Sequence, residues 1–184
     1  MALLIIGLVL WWGAHLLKRL APGLRGALGE TPGKGIVAAV LLLALVLMIA
    51  GYRQAEITDV WFPPLWAWHL NNLLMLIAIA LLGMGHSKGR TRSWFRHPML
   101  MAVATWGVAH LAVNGDLASV VLFGGMLAWA VVEMLVINAT SPAWVRPEPG
   151  PAKGDLRLAL ITIAAFVLIV AVHWGVFGVK PFPG

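Results

Sequence analysis

From Ile36 to Tyr52 the chain carries no charged side chain and is built almost wholly of Ala, Val, Leu, Ile and Met. A run of this kind approaches the length that a bilayer's hydrocarbon core asks of one helix, about 20 residues. Five more runs resemble it: Ala2 to Leu17, Leu65 to Gly85, Pro98 to Asn114, Leu117 to Asn138 and Leu158 to Gly178. Inside lipid every backbone N–H and C=O needs an internal partner, so only helices and closed barrels cross. None of the runs alternates apolar and polar residues as a barrel strand does. The expectation is an all-α fold, a polytopic transmembrane helix bundle of about six spans. Of the 184 residues, 61% are apolar and 11% are charged, whereas soluble domains are about 25% charged. That balance excludes a soluble enzyme and a disordered chain. The spans leave room for a single domain over residues 1–184.

The charges set the orientation. Lys18, Arg19, Arg25 and Lys34 follow the first run, Lys88, Arg90, Arg92 and Arg96 the third, and Arg146, Lys153 and Arg157 the fifth. These alternate loops hold eleven of the thirteen basic residues and leave Arg53 and Lys180 on the other side. Basic loops stay in the cytoplasm, so both termini are expected outside. The first run lacks the basic stretch that precedes a signal peptide's apolar core and is expected to be a retained helix. The same placement accounts for the net charge of +6 without nucleic acid, because these side chains sit where they meet anionic headgroups. The lipid bilayer is the expected partner. Gly33-Lys34-Gly35 is no phosphate loop, since Gly35 stands where a Walker motif needs Ser or Thr; it reads as a flexible turn. Pro142, Pro147, Pro149 and Pro151 make the segment 139–157 an extended loop. The absence of cysteine excludes disulfides, thiolate metal sites, Fe–S clusters and covalently attached haem.

Titratable groups inside spans are costly and are functional suspects. Here they are His15, His69, His110, His173 and Glu133, accompanied by Asn71, Asn72 and Asn114. At about 1.5 Å of rise per residue they form two belts. His69, His110 and His173 lie toward the outer face with the asparagines and Asp116. His15 and Glu133 lie toward the cytoplasmic face near Arg96 and His97, and Glu133 is expected to pair with Arg96 or another base there. Trp106, His110 and Asn114 share one helix face, which suits a cofactor or a polar interhelical contact. Trp11, Trp12, Trp106 and Trp129 fall deep enough to line a pocket, while the other tryptophans mark the interfaces. Gly124-Gly125 is expected to allow close helix approach, and Asn114-Gly115-Asp116 reads as a tight turn.

Trp12-Gly13-Ala14-His15-Leu16, His69-Leu70-Asn71-Asn72, Arg96-His97-Pro98-Met99, Trp106-Gly107-Val108-Ala109-His110-Leu111 and Asn114-Gly115-Asp116-Leu117-Ala118-Ser119 together resemble the NnrU family over essentially the whole chain. The resemblance implies a multi-pass protein of the bacterial inner membrane linked to denitrification, in particular to nitrite and nitric oxide reduction. The family is related to the plant 15-cis-zeta-carotene isomerases, which carry a b-type haem and isomerise a polyene double bond. Their proposed haem ligands fall here on His15 and His110, which the resemblance therefore marks as cofactor and metal ligands of haem b. Where the isomerases have a cysteine three residues before the second histidine, this chain has Gly107, so ligand switching onto sulfur is lost. Depth points to a different pair. His15 lies roughly 10 Å deeper than His110, whereas two nitrogens on one iron lie about 4 Å apart, twice a bond of about 2 Å. That favours His69 or His173 as the partner of His110, and both pairings stay open.

Two functions follow. One is a haem-dependent protein with isomerase-like redox chemistry on a lipid-soluble substrate. The other is a non-catalytic accessory or scaffold protein that supports assembly or expression of nitrite and nitric oxide reductases through partner membrane proteins. Whether the chain is an enzyme stays open between them. Arg-His-Pro also occurs in isoprenylcysteine-type methyltransferases, but Glu133 and Glu148 lack the matching downstream spacing. The paired interrupted helices of a transporter are absent.

Overall fold

The computed structural model describes residues 1–182. Its elements are α1 (Ala2–Leu20), a short α2 (Pro22–Ala27), α3 (Glu30–Arg53), α4 (Trp66–Met84), α5 (Pro98–Val113), α6 (Leu117–Thr140) and α7 (Ala152–Gly175). No strand occurs among the described residues. Five helices, α1, α3, α4, α6 and α7, are long and apolar enough to cross a membrane; α5 is an apolar helix of 16 residues, shorter than these. The chain is thus an all-α protein of multi-pass membrane type.

Two helices begin earlier than their apolar runs. α3 starts at Glu30 and α7 at Ala152, because a helix continues into water as long as its backbone bonds are made. Gly33-Lys34-Gly35 is therefore not a flexible turn but the opening of α3. Lys34 Nζ stands 3.5 Å from Glu30 Oε2 one turn back, a pairing that supports helix. The turn lies at Gly29, whose φ of +74° suits a residue without Cβ.

In space the order is α3, α1, α6, α5, α4, α7, each helix packed on the next. The α1–α3 seam is made of small residues. A Cβ on Gly7 would meet Met48 Cγ at 2.7 Å and the Ala44 carbonyl oxygen at 2.8 Å, and a Cβ on Gly51 would run into the backbone of Leu3 and Leu4. Of Gly124-Gly125, Gly124 faces open space, but Gly125 does allow close approach of α1: a Cβ there would meet the Leu8 side chain at 3.0 Å, and the Trp12 indole N–H donates to its carbonyl at 3.2 Å. Leu4, Leu8, Met48, Met126, Trp129 and Ala130 form the main buried cluster, where α1, α3 and α6 meet. Within α6, Val120–Gly124 is a π-turn, a local widening that is frequent at functional sites.

Backbone bonds tie the loops together at each end of the bundle. At one end Val60 and Trp61 N–H donate to the Gly115 carbonyl (2.7 and 3.1 Å), and Leu117 N–H donates to Thr58 (2.8 Å). Gly115 is required there, since a Cβ would strike the Trp61 carbonyl. At the other end Gly150 N–H donates to Gly89 (3.1 Å), and Thr91 donates from N–H and hydroxyl to Asp155 Oδ1 (3.1 and 3.0 Å). Of the segment 139–157, expected to be an extended loop, 141–151 has no helix, while 139–140 end α6 and 152–157 open α7.

Asp116 closes the start of α6. Its Oδ1 accepts the Ser119 N–H at 2.9 Å and its Oδ2 accepts the Ser119 hydroxyl at 2.6 Å. The Ser119 oxygen lies 2.9 Å from the Tyr52 hydroxyl of α3. Asp116→Ala is expected to lower stability by about 1 kcal/mol, the usual worth of a side-chain cap. Thermal unfolding in micelles checks this, with Asp116→Asn, which keeps the cap, losing less.

Candidate functional site

The inner belt is a pair of facing ladders. Trp11, His15 and Arg19 recur every four residues along α1, so they share one face; Trp129 and Glu133 do the same on α6. The His15 ring centroid is 4.5 Å from that of Trp11 and 4.6 Å from that of Trp129, and the two indoles are 5.5 Å apart, edge to face. His15 Nδ1 lies 2.9 Å from the Trp11 carbonyl. A carbonyl can only accept, so Nδ1 carries the proton and Nε2 is the free nitrogen. Arg19 Nε stands 3.6 Å from Glu133 Oε1, and its Nη1 donates to the Ser141 hydroxyl at 2.7 Å.

The base for Glu133 is therefore Arg19 and not Arg96, which donates to the Pro142 carbonyl at 2.9 Å. His97 Nε2 is 2.9 Å from Asn138 Oδ1. Arg19 was legible only as a loop cation. Its four-residue spacing from His15 was the signal that placed it on the same ladder.

This belt holds unpaired polar atoms. Trp11 Nε1, Trp129 Nε1 and Glu133 Oε2 are buried without a hydrogen-bond partner among the described residues. Trp129 is 4% exposed and Glu133 7%. Two N–H donors and one carboxylate oxygen are left open in a region shielded from water, where each unmet group costs free energy.

The outer belt has one such atom, Asn71 Oδ1. His110 packs on Trp106 (5.2 Å between centroids) and Phe123 (4.7 Å), with Nδ1 3.1 Å from the Trp106 carbonyl. Asn114 Nδ2 donates to the His110 carbonyl at 2.8 Å, so the shared face of Trp106, His110 and Asn114 is tied largely within its own helix. His173 lies on α7, where its Nδ1 bonds to the Ile169 carbonyl at 2.8 Å. His69 is exposed on α4 and makes no side-chain hydrogen bond or ring contact among the described residues. A cleft of about 500 Å³ opens at this end between Tyr52, Glu56, Asp59, Trp61, Asn114 and Asp116.

His15 and His110 are not brought together. Their rings share no neighbour. The residues they pack on, Trp129 and Phe123, are six positions apart on α6, roughly 9 Å at 1.5 Å per residue. Neither histidine lines the cleft above or the apolar one between α1 and α6. His69 is no nearer to a shared site, because it faces away from the bundle. No group of three metal-ligating side chains occurs among the described residues. Gly107 is pressed against α6, where a Cβ would meet the Phe123 carbonyl oxygen at 2.9 Å. A cysteine at that position would have to push the helices apart.

The sequence model of one protein family, described as NnrU protein, matches residues 3–181. The chain belongs to the NnrU family. No curated protein and no solved structure matches it.

Proposed function

From that membership we propose that the chain is a six-span protein of the bacterial inner membrane, both ends outside the cytoplasm, that serves nitrogen-oxide metabolism as a non-catalytic accessory component. Its part is contact with partner membrane proteins of nitrite and nitric oxide reduction. The sixth span is α5. Its 16 residues reach roughly 24 Å, close to a hydrocarbon core of about 30 Å, and it packs between α4 and α6. Tying the loops at alternate ends of the bundle supports the same count, and the basic loops support the orientation. Alkaline phosphatase fused after Lys180 is expected to be active, and fused after Arg92 inactive; the reverse pattern rejects this orientation.

The accessory reading is supported by the separate aromatic neighbours of His15, which packs on Trp11 and Trp129, and His110, which packs on Trp106 and Phe123. It expects a nearly flat Soret region in detergent-purified protein from haem-supplied cells. It also expects the nitrogen-oxide phenotype to survive His110→Ala.

A second reading retains haem b and isomerase-like redox chemistry on a lipid-soluble substrate, with His110 as the one protein ligand. It is supported by the bond from Nδ1 to the Trp106 carbonyl, which leaves Nε2 to coordinate, as ligating histidines are commonly held; His15 and His173 make the same kind of bond, so the variants below assign the ligand. A stoichiometric Soret band lost in His110→Ala and kept in His15→Ala and His69→Ala decides for that reading.

A further inference from the structure

We propose that the seam between α1 and α6 binds a neutral lipid-soluble quinol, its head group among Trp11, His15, Trp129 and Glu133. This stands whichever reading of the overall function holds. Three observations carry it. First, the two indole N–H groups and Glu133 Oε2 are buried without partners, and Oε1 of the same carboxylate meets Arg19 of α1, so the carboxylate faces the α1 ladder. A ligand satisfying all three brings at least one oxygen that accepts from indole and one hydroxyl that donates to the carboxylate.

Second, the Arg19–Glu133 pair already balances its own charge, which leaves the site suited to a neutral head group. His15 Nε2 adds one more acceptor for a hydroxyl. Third, an apolar cleft of about 400 Å³ lies one helical turn away, lined by Ile5, Leu8, Val9 and Trp12 of α1 and Val121 and Gly125 of α6. The Trp12 indole N–H is spent on the Gly125 carbonyl at 3.2 Å, so this cleft offers a ligand no free polar group from Trp12. It borders the π-turn Val120–Gly124 and opens along α1, where Val9 is 64% exposed. Polar groups one helical turn from an apolar cleft match a hydroxylated ring carrying a hydrocarbon tail. A plain hydrocarbon would leave the three polar atoms unmet.

The test is quenching of tryptophan fluorescence by decylubiquinol in lipid nanodiscs, read as a half-saturation concentration. Wild type should saturate. Trp129→Phe keeps an aromatic ring, smaller than indole, and removes the N–H, and Glu133→Gln keeps the shape; each should raise half-saturation about tenfold, the scale of one lost hydrogen bond to a buried group. Trp174→Phe, on the exposed end of α7, should match wild type. Val9→Trp fills the cleft without touching the polar groups. It should weaken decylubiquinol about tenfold and leave the tail-less duroquinol unchanged, which keeps the test decisive even if Trp129→Phe fails to fold. Absence of saturation in the folded wild type, the result if only water meets these atoms, overturns the proposal. So does equal half-saturation across wild type, Glu133→Gln and Val9→Trp.

Discussion

Gly51→Ala is expected to cost the protein about 2–3 kcal/mol, the scale of forced overpacking, while Gly13→Ala on the neighbouring helix stabilises it by about 0.5–1 kcal/mol. The same substitution has opposite signs because two different things decide it. In an open helix interior alanine outdoes glycine by restricting the unfolded chain, and an added Cβ on Gly13 meets nothing within 4 Å. On Gly51 the added atom strikes the backbone of Leu3 and Leu4. Backbone cannot rotate out of the way as a side chain can, so α1 and α3 must separate. Leu4, Ala44 and Met48, all buried at this seam, would lose packing together. In lipid there is no hydrophobic gain to hold two apolar helices in contact, and close packing is what joins them. Titration with SDS in mixed micelles, followed by circular dichroism, measures both variants. A Gly51→Ala variant as stable as wild type would contradict the close approach.

Such seams are where the sequence is least informative. The helices themselves were legible, because a run such as Leu117 to Asn138 has no other way to satisfy its backbone in lipid. The proline-rich segment was legible from local chemistry; Asn114-Gly115-Asp116, expected as a tight turn, is instead extended backbone bridged to the segment from Thr58 to Trp61. Helix starts were not legible. Hydropathy marks what must lie in lipid, and Glu30–Gly35 and Ala152–Arg157 are helix that does not have to. Gly124, Gly125, Gly7 and Gly51 look alike in sequence, and only the register between helices tells that Gly124 alone of the four meets no neighbour.

The histidines show the same limit. The two belts followed from counting residues, but convergence on one ligand depends on rotation about each helix axis. That rotation turns His69 outward and gives His15 and His110 separate aromatic neighbours. For Glu133 the level was legible and the partner was not, because several bases crowd that end and one spacing, from His15 to Arg19, singles out the right one.

Arg19→Ala should have the largest effect of any change in the inner belt, a loss of about 3 kcal/mol. Removing one member of a buried ion pair does more than delete an attraction. Glu133 Oε2 already lacks a partner, so without Arg19 the carboxylate would have neither oxygen paired with a base, in a site where its side chain is 9% exposed. Arg19 is more accessible, at 29%, and water reaching it holds the estimate to the lower end of the range for broken buried pairs. Arg19 also joins the end of α1 to Ser141 beyond α6, so its loss frees that end of the bundle as well. The charge contribution separates from the packing contribution in a double-mutant cycle. Glu133→Gln removes the charge that Arg19 compensates, so Arg19→Ala in the Glu133→Gln background should cost about 1 kcal/mol, the remainder belonging to the Ser141 bond and the aliphatic stem. SDS titration of the four proteins gives the coupling directly. If the two substitutions simply add, the ion pair contributes nothing, and Glu133 is held by something other than Arg19.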